Sequence, residues 1–193
     1  MAKGGRYEST TSQQGERRRL IVDFRRKKIR LQASRYVGRN WYFITLCTAS
    51  RAVRFNNGEL VGAVRASLAQ QAEAKGFVLV AYCFMPDHLH VLTSGSRPES
   101  ALIGFVKGFK QQSAFWFKRK TGQALWQRFF YDHVLRTGER WEAVANYIWL
   151  NPVRKALCSR PEDWPYSGSL TMAWRRLVAL GCDPWVPPWK RTT

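Results

Sequence analysis

The sequence predicts an α+β fold: a ferredoxin-like split βαβ antiparallel sheet with helices on one face, followed by one more helix. Three observations carry this. Strand-like and helix-like runs follow one another in the order β-α-β-β-α-β. Two of the strands meet across Met85-Pro86-Asp87, where Pro presets a tight turn and Asp can close it by side-chain hydrogen bonding. Hydrophobic residues make up 45% of the 193, enough for one core.

Each element has its own signal. Trp41 to Thr48 is rich in aromatic and β-branched residues and reads as the first strand. Asn56-Asn57-Gly58 is turn material, and a helix runs from about Glu59 to Lys75 with Leu60, Val64, Leu68 and Ala72 along one face. Gly76 ends it. The hairpin Phe77 to Thr93 follows. Ser96-Arg97-Pro98-Glu99 has capping-box spacing and opens a helix to about Lys120, with Leu102, Val106 and Phe109 on its apolar side. Phe129 to Leu135 is the fourth strand. A last helix spans Glu139 to about Leu150, with Trp141, Val144, Ala145 and Ile148 as its stripe. The division expected is a basic arm over 1–35, a core domain over 36–160 and a Pro/Trp-rich tail over 161–193, docked by its aromatics.

The net charge is +19, from 32 Lys+Arg against 13 Asp+Glu. Such a field concentrates polyanions, and nucleic acid is the leading partner class. No apolar run approaches the roughly 20 residues a spanning helix needs, and no signal peptide is evident, so no membrane and a cytoplasmic setting are expected. Candidate nucleic-acid contacts are Arg17, Arg18, Arg19, Arg25, Arg26, Lys27 and Lys28 in the arm, then Lys110, Lys118, Arg119 and Lys120, and Arg154. Cys47, Cys83, Cys158 and Cys182 are widely spaced and read as reduced.

Chemistry concentrates at His88-Leu89-His90. Strand side chains alternate, so the two imidazoles share one face while Leu89 and Val91 face a core. The pair is either a half-buried polar pair or part of a metal site. On the last helix Tyr147 and Asn151 stand four apart and share a face. Pro152 bends or restarts the helix there, and Asn151 is a ligand, a cap of a short helix, or both. A phenol has a pKa near 10. Two imidazoles, an amide oxygen and a tyrosine nonetheless suit attack on a phosphodiester, because a metal-bound phosphate and a positive field lower the cost of a phenolate.

Met85-Pro86-Asp87-His88-Leu89-His90, followed about sixty residues later by Tyr147-Ile148-Trp149-Leu150-Asn151-Pro152-Val153-Arg154, resembles the REP-associated tyrosine transposases. These are single-tyrosine HUH endonucleases. Trp126-Gln127-Arg128, Tyr131 to Arg136 and Trp164-Pro165-Tyr166-Ser167 match as well, and the likeness covers roughly 36–170. It implies a ferredoxin-like catalytic domain and a divalent ion, Mg2+ or Mn2+. It implies a metal-dependent endonuclease and strand transferase that cleaves and rejoins single-stranded DNA beside hairpins, such as REP-like palindromes, through a 5′-phosphotyrosine. His88 and His90 are then metal ligands and Tyr147 the nucleophile. Asn151 stands where relatives place a third polar ligand, often Gln. Asp132 and His133 match a recurrent motif and are candidates for site support. Such proteins occur as monomers and homodimers, DNA-bound in the nucleoid.

Three other functions use parts of the same pattern. A non-catalytic regulator binding hairpin DNA or RNA would keep the fold without cleavage. A metal-dependent phosphodiesterase would use water. An RNA-recognition domain would share the sheet order, but Val78 and Leu79 stand where a small residue and a stacking aromatic belong.

Overall fold

The computed structural model describes residues 32–178 and 185–188. The arm cations Arg17, Arg18, Arg19, Arg25, Arg26, Lys27 and Lys28 lie outside the described residues, as does Cys182. In chain order the elements are β1 Trp41–Cys47, α1 Gly58–Lys75, β2 Phe77–Met85, β3 His88–Gly95, α2 Leu102–Thr121, β4 Tyr131–Val134, α3 Trp141–Trp149, α4 Asn151–Arg154, β5 Ser167–Gly168 and α5 Trp174–Val178. The sheet order is β4-β1-β3-β2-β5, and every neighbouring pair is antiparallel. β3 lies between β1 and β2, which makes this the split βαβ arrangement expected, with β5 added at one edge.

The two faces of the sheet bury different partners. Tyr42, Ile44 and Leu46 of β1 and Leu89 and Val91 of β3 pack under α1 and α2, against Val64, Leu68, Phe105 and Phe109. Phe43 and Leu92 point the other way and meet Val144, Ala145 and Ile148 of α3. Two helices thus share one face and α3 covers the other. In β2 the register passes from Leu79↔Thr93 to Ala81↔Leu92, so Val80 is a one-residue bulge. Leu79 is buried under α1 and α2 and offers no stacking surface at the position an RNA-recognition domain would need.

Helix α1 starts as its sequence implies, with Asn57 Oδ1 accepting from the Glu59 and Leu60 amides and Gly76 ending it at φ 68°. Helix α2 does not. The Ser96–Glu99 capping box is absent: Ala101 occupies the N-cap without any side-chain cap. The Ser96 amide and the Ser100 hydroxyl both donate to Gly76 O, at 2.8 and 2.6 Å, and so tie this segment to the end of α1 before the helix begins. The fourth strand is shorter than predicted. Lys110 Nζ donates to the Gln127 and Arg128 carbonyls, at 2.7 and 2.9 Å, and holds the approach to β4 away from the ladder. Helix α3 begins at Trp141 because Glu139 accepts from the Arg136 amide instead of joining a helical turn.

The tail does more than dock by its aromatics. Ser167–Gly168 pairs with β2 as a fifth strand. Trp149 Nε1 donates to Gly168 O at 3.0 Å, and Trp164 Nε1 to Phe84 O at 2.9 Å. Cys47, Cys83 and Cys158 are free thiols, and burial pushes the Cys83 thiol up to about 12. Among the described residues no helix is long and apolar enough to cross a membrane.

Gly95, the last residue of β3, meets the chain entering the domain. A Cβ there would lie 1.9 Å from Gly38 O, a backbone atom with no rotamer to yield. Gly95→Ala is expected to destabilise the domain by about 1–3 kcal/mol, the usual cost of overpacking. Urea unfolding of the variant beside the unmodified chain measures this.

Candidate active site

The alternation of β3 puts Leu89 and Val91 in the core and His88, His90 and Leu92 on the α3 side. The two imidazoles converge: His88 Nε2 is 3.1 Å from His90 Nε2, with the rings near perpendicular at 80°. His90 is 6% exposed, and neither ring is free to turn away. His88 Nδ1 lies 2.5 Å from Asp87 Oδ1, and Asp87 Oδ2 accepts from Arg51 Nε at 2.9 Å. His90 Nδ1 lies 2.8 Å from Thr45 Oγ1, the residue directly across the β1–β3 ladder. When each Nδ1 carries the proton and donates it to these oxygens, both Nε2 lone pairs point into the same space. Burial works to raise the Asp87 carboxyl, but the His88 hydrogen bond and charge and the Arg51 guanidinium outweigh it and hold it below its ordinary range.

Tyr147 comes from α3 to the same face. Its ring centroid is 6.3 Å from that of His90 and 6.1 Å from that of Phe43. Leu150 continues the helical path at φ −79°, ψ −2°, and α4 starts at Asn151 with Pro152 in its first turn. Asn151 therefore stands inside the new helix and caps nothing. It is 6% exposed, it follows Tyr147 by one helical turn, and its Nδ2 makes no hydrogen bond. Arg154 folds back over the tyrosine. Its Cζ lies 4.2 Å from the ring centroid, and its Nη2 donates to Tyr147 O at 2.5 Å. Burial raises the pKa of the phenol. Arg154, Asn151 and Lys155 pull the other way without cancelling that rise, so the resting phenol keeps its proton at neutral pH.

Two imidazoles and an amide oxygen form a borderline donor set, which suits a divalent transition ion such as Mn2+ better than the oxygen shell Mg2+ prefers. Two nitrogens each about 2.1 Å from an octahedral ion stand about 3 Å apart when adjacent, close to the 3.1 Å found here. Without a proton or a cation between them, two lone pairs at this distance repel. Among the described residues no third His, Cys, Asp or Glu joins the pair. The next donor is then an amide or a hydroxyl, and the buried amide of Asn151, on the same face as Tyr147, carries an oxygen of that kind. The oxygens of Asp87 and Thr45 on the outer nitrogens are the second contacts that usually orient ligating histidines.

Other residues singled out from sequence fall elsewhere. His133 lies on the α3 face, where its Nε2 is 2.7 Å from Glu139 Oε2, and Glu139 Oε1 accepts from Trp185 Nε1 at 3.1 Å. Burial acts to raise the Glu139 carboxyl, but hydrogen bonds from the Arg136 amide, His133 and Trp185 prevail and lower it. His133 thus ties β4 to the entry of α3. Asp132 alternates to the opposite face, beside Val134, and does not join the histidines. Lys110 is half-buried on the two carbonyls described above, and burial lowers its pKa, so it is a structural clip. Lys118, Arg119 and Lys120 are exposed at the end of α2. Arg154 belongs to the tyrosine. Sequence reading missed Thr45, whose place opposite His90 depends on strand register. It missed Trp185 too, whose ring stands 5.1 Å from that of Tyr147.

The chain matches the family model described as "Transposase IS200 like" over residues 36–149. It is 26% identical over 137 residues to a Haemophilus influenzae protein assigned as a REP-associated tyrosine transposase, covering 65% of this chain and 77% of that one. It is 26% identical over 109 residues to the REP-associated tyrosine transposase of Escherichia coli, covering 56% of this chain and 61% of that one. A solved REP-associated tyrosine transposase bound to a REP hairpin shares the fold with a TM-score of 0.58 at 21% identity, over 81% of this chain and 90% of that one. The match spans β1 to α3 and so includes both histidines and the tyrosine: this chain belongs to the family of IS200-like transposases, and it is similar to the REP-associated tyrosine transposases among them.

Proposed function

We propose that this chain is a metal-dependent nuclease and strand transferase that cuts and rejoins single-stranded DNA beside hairpins, with Tyr147 as nucleophile. The observation that carries this is the convergence of two imidazole Nε2 atoms, their outer nitrogens already held, beside the ring of Tyr147. The relative solved with a REP hairpin supports a palindromic DNA substrate.

His88, His90 and Asn151 would hold the ion, which when bound supplies Lewis-acid polarisation of the scissile phosphate and of its departing oxygen. Tyr147 Oη attacks phosphorus. A tyrosine–phosphate bond forms, the bond from phosphorus to O3′ breaks, and the 5′ phosphate stays on the protein. The phenol releases one proton and the departing 3′ oxygen takes one up, so the step is neutral overall. Arg154, stacked on the phenol, balances the charge of the incoming phosphate. Rejoining is the reverse: a 3′ hydroxyl attacks phosphorus and the tyrosine leaves. The cations of the arm, Arg17 to Lys28, would contact phosphates of the hairpin stem and position it without reading bases.

Tyr147→Phe removes only the hydroxyl. It is expected to keep DNA binding while losing both the cut product and the protein-linked band on a denaturing gel run with Mn2+. Cleavage at the unmodified rate would end the nucleophile assignment. His88→Ala and His90→Ala are expected to abolish metal-dependent cleavage with the fold intact. Asp87→Asn should weaken Mn2+ binding about 10- to 100-fold, read by titration calorimetry, and unchanged Mn2+ affinity would refute the role of the outer nitrogens. Deleting residues 1–30 should raise the hairpin concentration needed for half-maximal cleavage and leave the cut position where it was. A shifted cut site would show that the arm reads sequence.

A further inference from the structure

Helix α2 has one aromatic that its packing does not explain. Phe105, Val106, Phe109 and Phe117 form the buried stripe of the helix. Phe115 lies about 200° around from Phe117 at 3.6 residues per turn and is 65% exposed. Arg119 Cζ sits 5.7 Å from the Phe115 ring centroid, and Lys120 Nζ sits 5.4 Å from that of Trp116. These four side chains line a shallow depression of ≈ 370 Å3. Cations in a last helical turn suit the helix dipole by themselves. The dipole gives no reason for an exposed phenyl ring one turn before them. Alternating aromatic faces and cations are what unpaired nucleotides bind: bases stack on the rings while phosphates meet the charges.

The patch also lies at the right end of the molecule. Lys120 pairs with Glu59 in the first turn of α1. The segment leading into α1 is fixed to the turn before His88, because the Arg54 and Phe55 amides both donate to Pro86 O. The end of α2 and the start of β3 therefore share one end of the sheet, in different layers. A single strand running from the histidines to Phe115 and Trp116 would have to pass around that end.

We infer that Phe115, Trp116, Arg119 and Lys120 form a stacking platform for unpaired nucleotides of a single-stranded DNA segment next to the hairpin. A paired stem offers no open base face and is a poor occupant. This rests on single-stranded DNA being the substrate, as proposed above.

The test uses the full chain and three fluorescent DNA hairpins in binding titrations. One carries single-stranded thymidine extensions, one has the same extensions made abasic, and one is blunt. Phe115→Ala is expected to weaken binding about fivefold or more on the thymidine-extended hairpin. It should change little on the other two, and Phe115→Trp should restore the affinity. Arg119→Gln should reduce the log–log salt slope on the extended hairpin by about 0.7. Equal affinity of Phe115→Ala and the unmodified chain for the extended hairpin overturns the inference, and so does an equal loss on the blunt one. A fall in sedimenting mass for Phe115→Ala also overturns it, by making the patch a contact between copies. If the unmodified chain binds none of the three, the proposed function falls and this inference with it. If the unmodified chain binds and cuts but Phe115→Ala binds alike, only the platform is wrong.

Discussion

The direction in which β3 faces decides the chemistry of this molecule. Strand side chains have a period of two, so a slip of one residue would bury both imidazoles under α1 and α2 and turn Leu89 and Val91 outward. Three features hold the register. β1 and β2 pair with β3 along both edges. The Thr48 amide and hydroxyl both reach Asp87 O, at 3.0 Å each, which fixes the turn before the histidines. The bulge at Val80 lets the rest of β2 keep Tyr82 and Phe84 on the core side while its first half stays in register with the far end of β3.

Charge is used at two ranges. The overall excess of cations attracts a polyanion from a distance and is screened by salt. Close in, two guanidiniums have separate tasks. Arg51 holds the carboxylate that orients His88, and Arg154 lies on the ring and carbonyl of Tyr147. Arg51 acts through a carboxylate and Arg154 directly on the tyrosine, and neither guanidinium needs to leave its partner for the site to keep its shape.

Local patterns in the chain were readable wherever local physics decides. His-x-His on a strand, Tyr and Asn one helical turn apart, the Asn57 cap and the Gly76 stop all stand where their spacing puts them. What failed to be legible depends on partners far along the chain. Thr45 meets His90 across 45 residues, and Trp185 meets Glu139 across 46. The Ser96–Glu99 spacing promises a cap, but the carbonyl of Gly76 takes the Ser96 amide, and the Ser100 hydroxyl beside it, through tertiary bonds. A strand as short as Ser167–Gly168 leaves no periodicity to read. Asp132 and Lys110 have the composition of site residues, yet strand parity puts one on the wrong face and two carbonyls capture the other.

β3 has a hydrogen-bonded neighbour on each edge and a packed layer over each face. Amides of such a strand exchange with solvent only when the whole domain opens. The imidazoles sit on a strand enclosed by neighbours on both edges and both faces. Tyr147 stands instead near the end of a helix of 9 residues, which Leu150 joins to α4. The site joins a strand paired on both edges to a short helix held by its packing on the sheet. In the proposed reaction the phenol can then adjust to a phosphate while the spacing of the two imidazoles stays that of the strand.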